Sequence, residues 1–294
     1  FVVAFFGSEG LHCFGMDGQL IWKHDFGTLR SGPYDAPELE WGFASSPIIH
    51  NGHVIVQCDC LNTNFVAILD IKTGREIRRI DRDGEVATWS TPLVVTTEER
   101  QQIVCNGYRQ MAGYDLKTGE RIWHLNDGGD VPVPTPLFAN GLIYLTNGHG
   151  RSPTYAIEPT AAGDLTPSDD ESENSGLAWW QSRDGSYMPT PLVRDALLYT
   201  CNDNGRLTVR DAMTGELIYR QRVGTGTYSA SAVAAGGHIY FVSEQGEVTV
   251  IAKGNVFKKV ASNNMGEVVM ATPAISGDRL LIRTTGNLYC LTPE

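Results

Sequence analysis

Seven histidines, six cysteines and a run of acidic residues are the groups in this chain that could do chemistry, and their spacing decides what is open to them. His12, His24, His50, His53, His124, His149 and His238 are scattered over unrelated segments, so no metal centre follows from them. His149 stands in Asn147-Gly148-His149-Gly150-Arg151, a phrase that superficially suggests an anion-binding loop, but no helix follows to supply a dipole. No HExxH, GxSxG or Walker pattern occurs. Cys13, Cys58, Cys60, Cys105, Cys201 and Cys290 form neither CxxC zinc pairs nor a disulfide-dense scaffold, and read as small buried apolar residues. The acidic residues Asp164, Asp169, Asp170, Glu171 and Glu173 lack the fixed alternation of a calcium loop and read as an exposed, mobile and dispensable stretch over 164–174. No catalytic residue and no metal ligand is expected.

Recognition chemistry is better represented. Arg30, Trp41, Trp89, Tyr108, Arg109, His149, Arg151, Tyr187 and Tyr228 all fall between the expected strands, together with Asp59, Asn62, Glu244 and Met265. Aromatics and arginines on loops are the residue types that binding surfaces use.

The elements that must position these loops repeat along the whole chain. Residues 90–125 hold one full unit: a strand opening on Ser90-Thr91-Pro92-Leu93, a second and a third strand separated by Asn106-Gly107, then Asp115-Leu116-Lys117-Thr118-Gly119 turning into a fourth strand with Trp123. The small-Pro-apolar opening recurs at Pro47, Pro92, Pro136, Pro191 and Pro273, with Ala232 in the remaining slot. A period of roughly 40 to 45 residues with four strands per unit is the signature of a β-propeller. The longer interval from Pro136 to Pro191 marks an insertion, where residues 158–176 replace the five-residue outer turn.

In Asp-x-x-Thr-Gly the Asp accepts backbone N–H bonds within the turn and Gly supplies the positive φ that closes the hairpin. The aromatic four residues on, at Trp22, Trp123, Trp180 and Tyr219, is expected on the outermost strand, packed between blades. The fold class is therefore all-β, one propeller domain over 1–294 with seven four-stranded antiparallel blades. The first blade lacks its first strand and the last its fourth, which makes 26 strands and puts the two chain ends in neighbouring blades, with sheet edges open to another chain. Residues 26–44 form an unusually long connection carrying Arg30, Tyr34 and Trp41.

A formal charge of −11 argues against unaided binding to nucleic acid or anionic membrane. No apolar run is long enough to span a bilayer. Phe1 already reads as strand interior, so an upstream segment, a signal peptide among the options, is expected to have been removed or to lie outside this sequence.

Asp-x-x-Thr-Gly-x-x-x-Trp with a small-Pro-apolar first strand resembles the PQQ-like, quinoprotein-type propeller repeat over essentially the whole chain. The phrases at 185–192 and 228–231 look like its bacterial PQQ-binding-like branch. The resemblance implies an exported protein, periplasmic or extracellular. The enzymes that name the repeat hold the quinone against a Trp and a ring of adjacent cysteines, beside calcium and a catalytic Asp. This chain has no Cys-Cys pair, Cys58-Asp59-Cys60 being the nearest approach, and no CxxCH haem site. The expectation is thus a non-catalytic binding or assembly scaffold without a cofactor, taking a protein, peptide or glycan at its axial face or assembling through open blade edges. The alternative is a PQQ- and calcium-dependent alcohol or sugar dehydrogenase, with Trp41 or Trp89 supporting the flat quinone.

Overall fold

Alternating apolar residues broken by Gly- and Asp-rich turns fold as seven antiparallel sheets in a computed structural model that describes residues 1–126, 128–167 and 176–292. Blade 1 has β1 (Val2–Phe5), β2 (Leu11–Phe14) and β3 (Leu20–His24). Blade 2 has β4 (Ile48–His50), β5 (His53–Asp59), β6 (Asn64–Asp70) and β7 (Glu76–Asp81). Blade 3 has β8 (Leu93–Thr96), β9 (Gln101–Cys105), β10 (Gln110–Asp115) and β11 (Arg121–Asn126). Blade 4 has β12 (Leu137–Ala139), β13 (Leu142–Thr146), β14 (Thr154–Ile157) and, after the short β15 (Gly163–Asp164), its outer strand β16 (Leu177–Gln181). Blade 5 comprises β17 (Leu192–Arg194), β18 (Leu197–Cys201), β19 (Arg206–Asp211) and β20 (Leu217–Arg222). Blade 6 comprises β21 (Val233–Ala235), β22 (His238–Val242), β23 (Glu247–Ala252) and β24 (Lys259–Asn264). Blade 7 has β25 (Ala274–Ser276), β26 (Arg279–Arg283) and β27 (Leu288–Leu291). The seven-bladed propeller with three-stranded first and last blades is as expected, and the only helix among the described residues is a single 3-10 turn at Gly7–Glu9.

The Asp-x-x-Thr-Gly turns close as their residues dictate. Asp70 Oδ1 accepts from the N–H groups of Lys72 and Thr73 and from the Thr73 hydroxyl, at 3.1, 2.8 and 2.8 Å. These bonds, the hydroxyl first, hold the Asp70 carboxyl below its ordinary range. Asp115 and Asp211 accept from their own turns in the same way.

The turns of blades 2 and 5 also receive the aromatic of the preceding blade, whereas that of blade 3 receives Arg78. The Trp22 indole donates to Ile71 O and the Trp179 indole to Ala212 O, both at 2.8 Å. Each ring lies on the turn's glycine, since a Cβ on Gly74 would sit 2.5 Å from Trp22 and one on Gly215 2.6 Å from Trp179. The interblade aromatic of blade 4 is therefore Trp179, correcting the expectation at Trp180, which is exposed. After the insertion the outer strand starts one residue sooner past its glycine, Gly176, than β3 does past Gly18, and pairing sets Trp179 opposite Ala156 as Trp22 lies opposite Cys13. A Gly215→Ala variant is expected to lose at least about 2 kcal/mol, combining left-handed strain with the collision on Trp179. Gly277→Ala, at φ +61 with open space around it, carries the strain alone and should lose about half as much. Urea denaturation of the pair checks this; equal losses would remove the ring contact from the account.

Near the axis, the small residue before each Pro has a defined task. The N–H of Ser46 donates to Thr91 Oγ1, that of Thr135 to Thr190 Oγ1, that of Thr190 to Ser231 Oγ and that of Ser231 to Thr272 Oγ1, at 2.9–3.1 Å. Hydroxyls thus hand hydrogen bonds from blade to blade where bulky side chains would not fit.

The core is a set of slabs between blades rather than one centre. Six clusters of buried apolar residues join blades 1 and 2, 2 and 3, 3 and 4, 4 and 5, 5 and 6, and 6 and 7. A closed ring of seven would need a seventh slab, and among the described residues none joins blade 7 to blade 1. Val2 and Leu20 on the free face of blade 1 are 49% and 54% exposed, and Leu288 on the free face of blade 7 is 70% exposed. The expectation that the two ends close the ring side by side is corrected accordingly.

The insertion in blade 4 also differs from expectation. It contributes a 27th strand, β15, which pairs in parallel with the outer strand β11 of blade 3. Leu165 and Ala161 are buried against Trp123. So the start of the stretch 164–174 is docked rather than dispensable, and its residues 168–174 lie outside the described ones.

Candidate functional site

A four-stranded meander places its second-to-third-strand loop and its exit to the next blade at the same end. Every expected site residue lies on these connections, so the question is which of them meet. Tyr34, from the long connection 26–44, lies 5.1 Å from Tyr108, ring centre to ring centre, and the Arg109 guanidinium sits 5.6 Å from the Tyr34 ring. Trp41, 54% exposed, tilts against Trp89 at 5.5 Å, and the Trp89 indole donates to Gly42 O at 2.8 Å. His149 meets Tyr187 at 5.2 Å and lies 4.0 Å from the Asp130 carboxylate. Arg30 pairs with Glu40 at 2.6 Å, and Asn62 ties the same connection down by accepting from Arg30 N–H and donating to Thr28 O. Arg151 lines a cavity of about 260 Å³ with Tyr108 and Asp130. Burial, then Asp130, raises the Tyr108 phenol above its ordinary range.

Tyr228 does not belong to this surface. It is 1% exposed in the slab between blades 5 and 6, with Gly205 and Gly224 pressed on its ring, and burial pushes its phenol well up. Asp59 is likewise buried. Tyr228 lies in the connection 223–232 and Asp59 at the end of β5, so both look like loop residues in sequence.

A buried polar network lies beneath Tyr108 and Arg109 that the sequence reading did not assemble. Arg82 Nε donates to both Asp59 oxygens at 2.9 and 3.0 Å, Nη1 to the Tyr114 hydroxyl at 2.9 Å, and Nη2 to Gln110 O at 3.2 Å and Glu85 Oε2 at 3.4 Å. The Arg82 side chain is 1% exposed. Gln57 donates to Asp59 and to Asn106 O, at 2.6 and 2.7 Å. Glu85 accepts from the N–H groups of Arg109 and Gln110, both at 2.9 Å, and so clamps the loop that presents Tyr108 and Arg109. Burial raises the Glu85 carboxyl, Arg82 opposes this and Asp59 adds to it. Only glycine fits at 107, where a Cβ would lie 2.3 Å from Gln110 O and 2.6 Å from Glu85 Oε2. One signal was available: Gln57 and Asp59 share a strand face with Ile55, an odd place for polar groups unless a partner awaits them.

The fit to a calcium-held quinone is poor. Among the described residues no group of three or more His, Cys, Asp or Glu side chains is placed to hold a metal ion. Cys58 and Cys60 are buried, and burial first of all raises both thiols, Cys60 to about 12. Trp41 and Trp89 lean on each other at 39° rather than framing a slot. The described residues therefore do not supply a quinone and calcium cradle.

A family model described as outer membrane protein assembly factor BamB matches residues 2–221 and 170–294. Comparison with curated proteins gives no match. Among solved structures, BamB from Moraxella catarrhalis aligns with a TM-score of 0.60 at 13% identity, over 98% of this chain and 94% of that one. The quinohemoprotein alcohol dehydrogenase ADHIIG from Pseudomonas putida HK5 aligns with a TM-score of 0.56 at 15% identity, over 76% of this chain and 42% of that one. The C-terminal WD40 domain of Sif2 aligns at 0.62 and 12% identity, over 97% and 75%. At these identities the structural likeness is one of fold.

Proposed function

The chain belongs to the family described as outer membrane protein assembly factor BamB, and from that premise we propose that it is a non-catalytic scaffold holding a protein partner against its axial face. The observation that carries this is the pairing of Trp41 with Trp89 and of Tyr34 with Tyr108 and Arg109 at one end of the blades, with Tyr34, Trp41 and Arg109 exposed and the loop of Tyr108 and Arg109 held from beneath by the Arg82 network. Tyr, Trp and Arg on a pre-ordered surface are what binding hot spots are made of. The free faces of blades 1 and 7 offer a second surface for assembly. An assembly factor for outer membrane proteins works in the periplasm, the compartment we assign. Among the described residues no helix is long and apolar enough to cross a membrane.

A photo-crosslinking residue at position 41 is expected to capture a protein in the native cells, and Arg109→Ala to weaken that complex by about 2 kcal/mol, roughly thirtyfold, at unchanged Tm. Capture of a glycan, or no adduct, would defeat the protein-partner reading. The dehydrogenase alternative has the likeness to ADHIIG in its favour. Titration with PQQ and calcium, following absorbance and dye reduction with primary alcohols or aldoses, separates the two; quinone-dependent turnover would overturn the scaffold.

A further inference from the structure

At the junction of blades 4 and 5, beside the cavity that Arg151 shares with Tyr108, an open cavity of about 640 Å³ is lined by Arg151, Arg183, Arg206 and Arg220, with Ser152 and Ser182 and one carboxylate, Asp184. Among the described residues that line it, Arg183, Arg206 and Arg220 face one carboxylate, in a chain of net charge −11. Asp184 is already shared. Arg206 reaches it at 3.2 Å and Arg210 at 3.3 Å, and Arg220 bonds it as well. Burial lowers the Arg210 guanidinium, Asp184 opposes this and the neighbouring Arg220 adds to it. Three guanidiniums share this one carboxylate, so the cluster keeps a net positive charge that a second anion would balance.

The loop carrying Asp184 is built to stay where it is. Gly185 donates its N–H to Ser152 O at 2.8 Å, and a Cβ there would lie 2.2 Å from Asn147 O. Ser186 is fully buried, its N–H donating to Thr146 Oγ1 at 3.2 Å and its hydroxyl to Cys201 O at 2.9 Å. Backbone pinned on both sides fixes the Asp184 carboxylate, and through it Arg206 and Arg220, before any ligand arrives. Arg183, on the same wall, makes no hydrogen bond or ion pair among the described residues.

We propose that this cavity is a binding site for a phosphate-class oxyanion, gripped by Arg206, Arg220 and Arg183 in the fork geometry that guanidinium offers to such groups. No apolar side chain lines it, so the body of the ligand is polar, and the volume takes more than a bare ion. The chemistry is shared by a soluble phosphate ester and a phospholipid headgroup.

Isothermal titration with inorganic phosphate and with glucose 6-phosphate, glucose being the control, tests the soluble source. Flotation with phosphatidylcholine vesicles, with and without phosphatidylglycerol, tests the lipid source. Saturable binding in either arm is expected, weakened at least tenfold in Arg206→Gln/Arg220→Gln. Asp184→Asn is expected to bind at least threefold tighter, because the resident carboxylate competes with the ligand; a merely structural cluster would show no such gain. Should the double variant fail to fold, Arg183→Gln reports the same loss from a side chain that makes no hydrogen bond or ion pair among the described residues. Absence of saturable binding in both arms, or binding indifferent to Arg183 and Asp184, overturns the site.

Discussion

An Arg82→Met variant is expected to lose about 3–5 kcal/mol of folding stability, because Asp59 and Glu85 would remain buried with no cation between them. The argument rests on asymmetry. Arg82 uses its guanidinium on five acceptors, and each of these was designed around a donor that methionine lacks. The two carboxylates would not become harmless by accepting other bonds, since Asp59 is wholly enclosed and Glu85 is committed to loop N–H groups. Adding Asp59→Asn and Glu85→Gln to Arg82→Met should recover part of the loss, as it removes the stranded charge. The pH dependence has a defined sign. Glu85 is raised in the folded state already, and loss of Arg82, the neighbour that lowers it, raises it further. A carboxyl raised on folding binds its proton more tightly in the native state, so its contribution is present below the unfolded value of about 4.3 and is lost as pH rises through the folded value. The deficit of Arg82→Met should therefore shrink as the pH is lowered toward 4.3 or so. Urea denaturation at several pH values checks both claims, and a loss under about 1 kcal/mol at neutral pH would mean that water reaches the site. Because Glu85 clamps the Tyr108 loop, the variant should also bind its partner less well than its remaining stability accounts for.

The same network shows where sequence reading stops. The propeller was legible because local rules recur: Asp and Gly close the outer turns of blades 2, 3 and 5 within five residues, and Pro with a small neighbour opens blades 2, 3, 4, 5 and 7. Those signals are complete within one stretch of chain. What was not legible depends on neighbours distant in sequence. Arg82 and Glu85 are buried because Tyr114, Gln110 and Arg109 of blade 3 close over the turn that carries them. Tyr228 reads as a rim residue until the glycines at 205 and 224 press on it. Trp179 and Trp180 are adjacent, and only pairing with Tyr155 and Ala156 says which points between the blades. The rim itself was half legible: Trp41, Trp89, Tyr108 and Arg109 were identified by type, whereas their grouping depends on how the connection 26–44 folds back.

Replacing residues 158–176 by a plain Asp-Ala-Lys-Thr-Gly turn is expected to lower stability substantially, the reverse of what the acidic run suggests. In blades 1 and 4 the interblade indole rests on the turn of the next blade. Trp123 has no such turn to reach, because blade 4 carries the insertion in its place. Its indole donates instead to Gln102 Oε1 at 2.8 Å, and the Gln102 amide donates to Pro159 O at 2.8 Å. Arg100 adds bonds to Ala161 O at 3.1 Å and to Thr160 O, and Leu165 N–H donates to His124 O at 2.8 Å as β15 joins β11. Leu165, 1% exposed, then closes the slab over Gly176, whose absent Cβ would lie 2.5 Å from it. A Leu165→Ala variant isolates the packing share of this, and the loss expected for a buried leucine is about 2–5 kcal/mol. The five-residue replacement should lose at least as much, since it also strands the Gln102 amide and bares the outer edge of blade 3. Leu288→Ala, at a leucine 70% exposed, should cost under about 0.5 kcal/mol and serves as the comparator. Calorimetric Tm values for the three variants decide the matter: an insertion replacement as stable as the parent would show that β15 contributes nothing to blade 3.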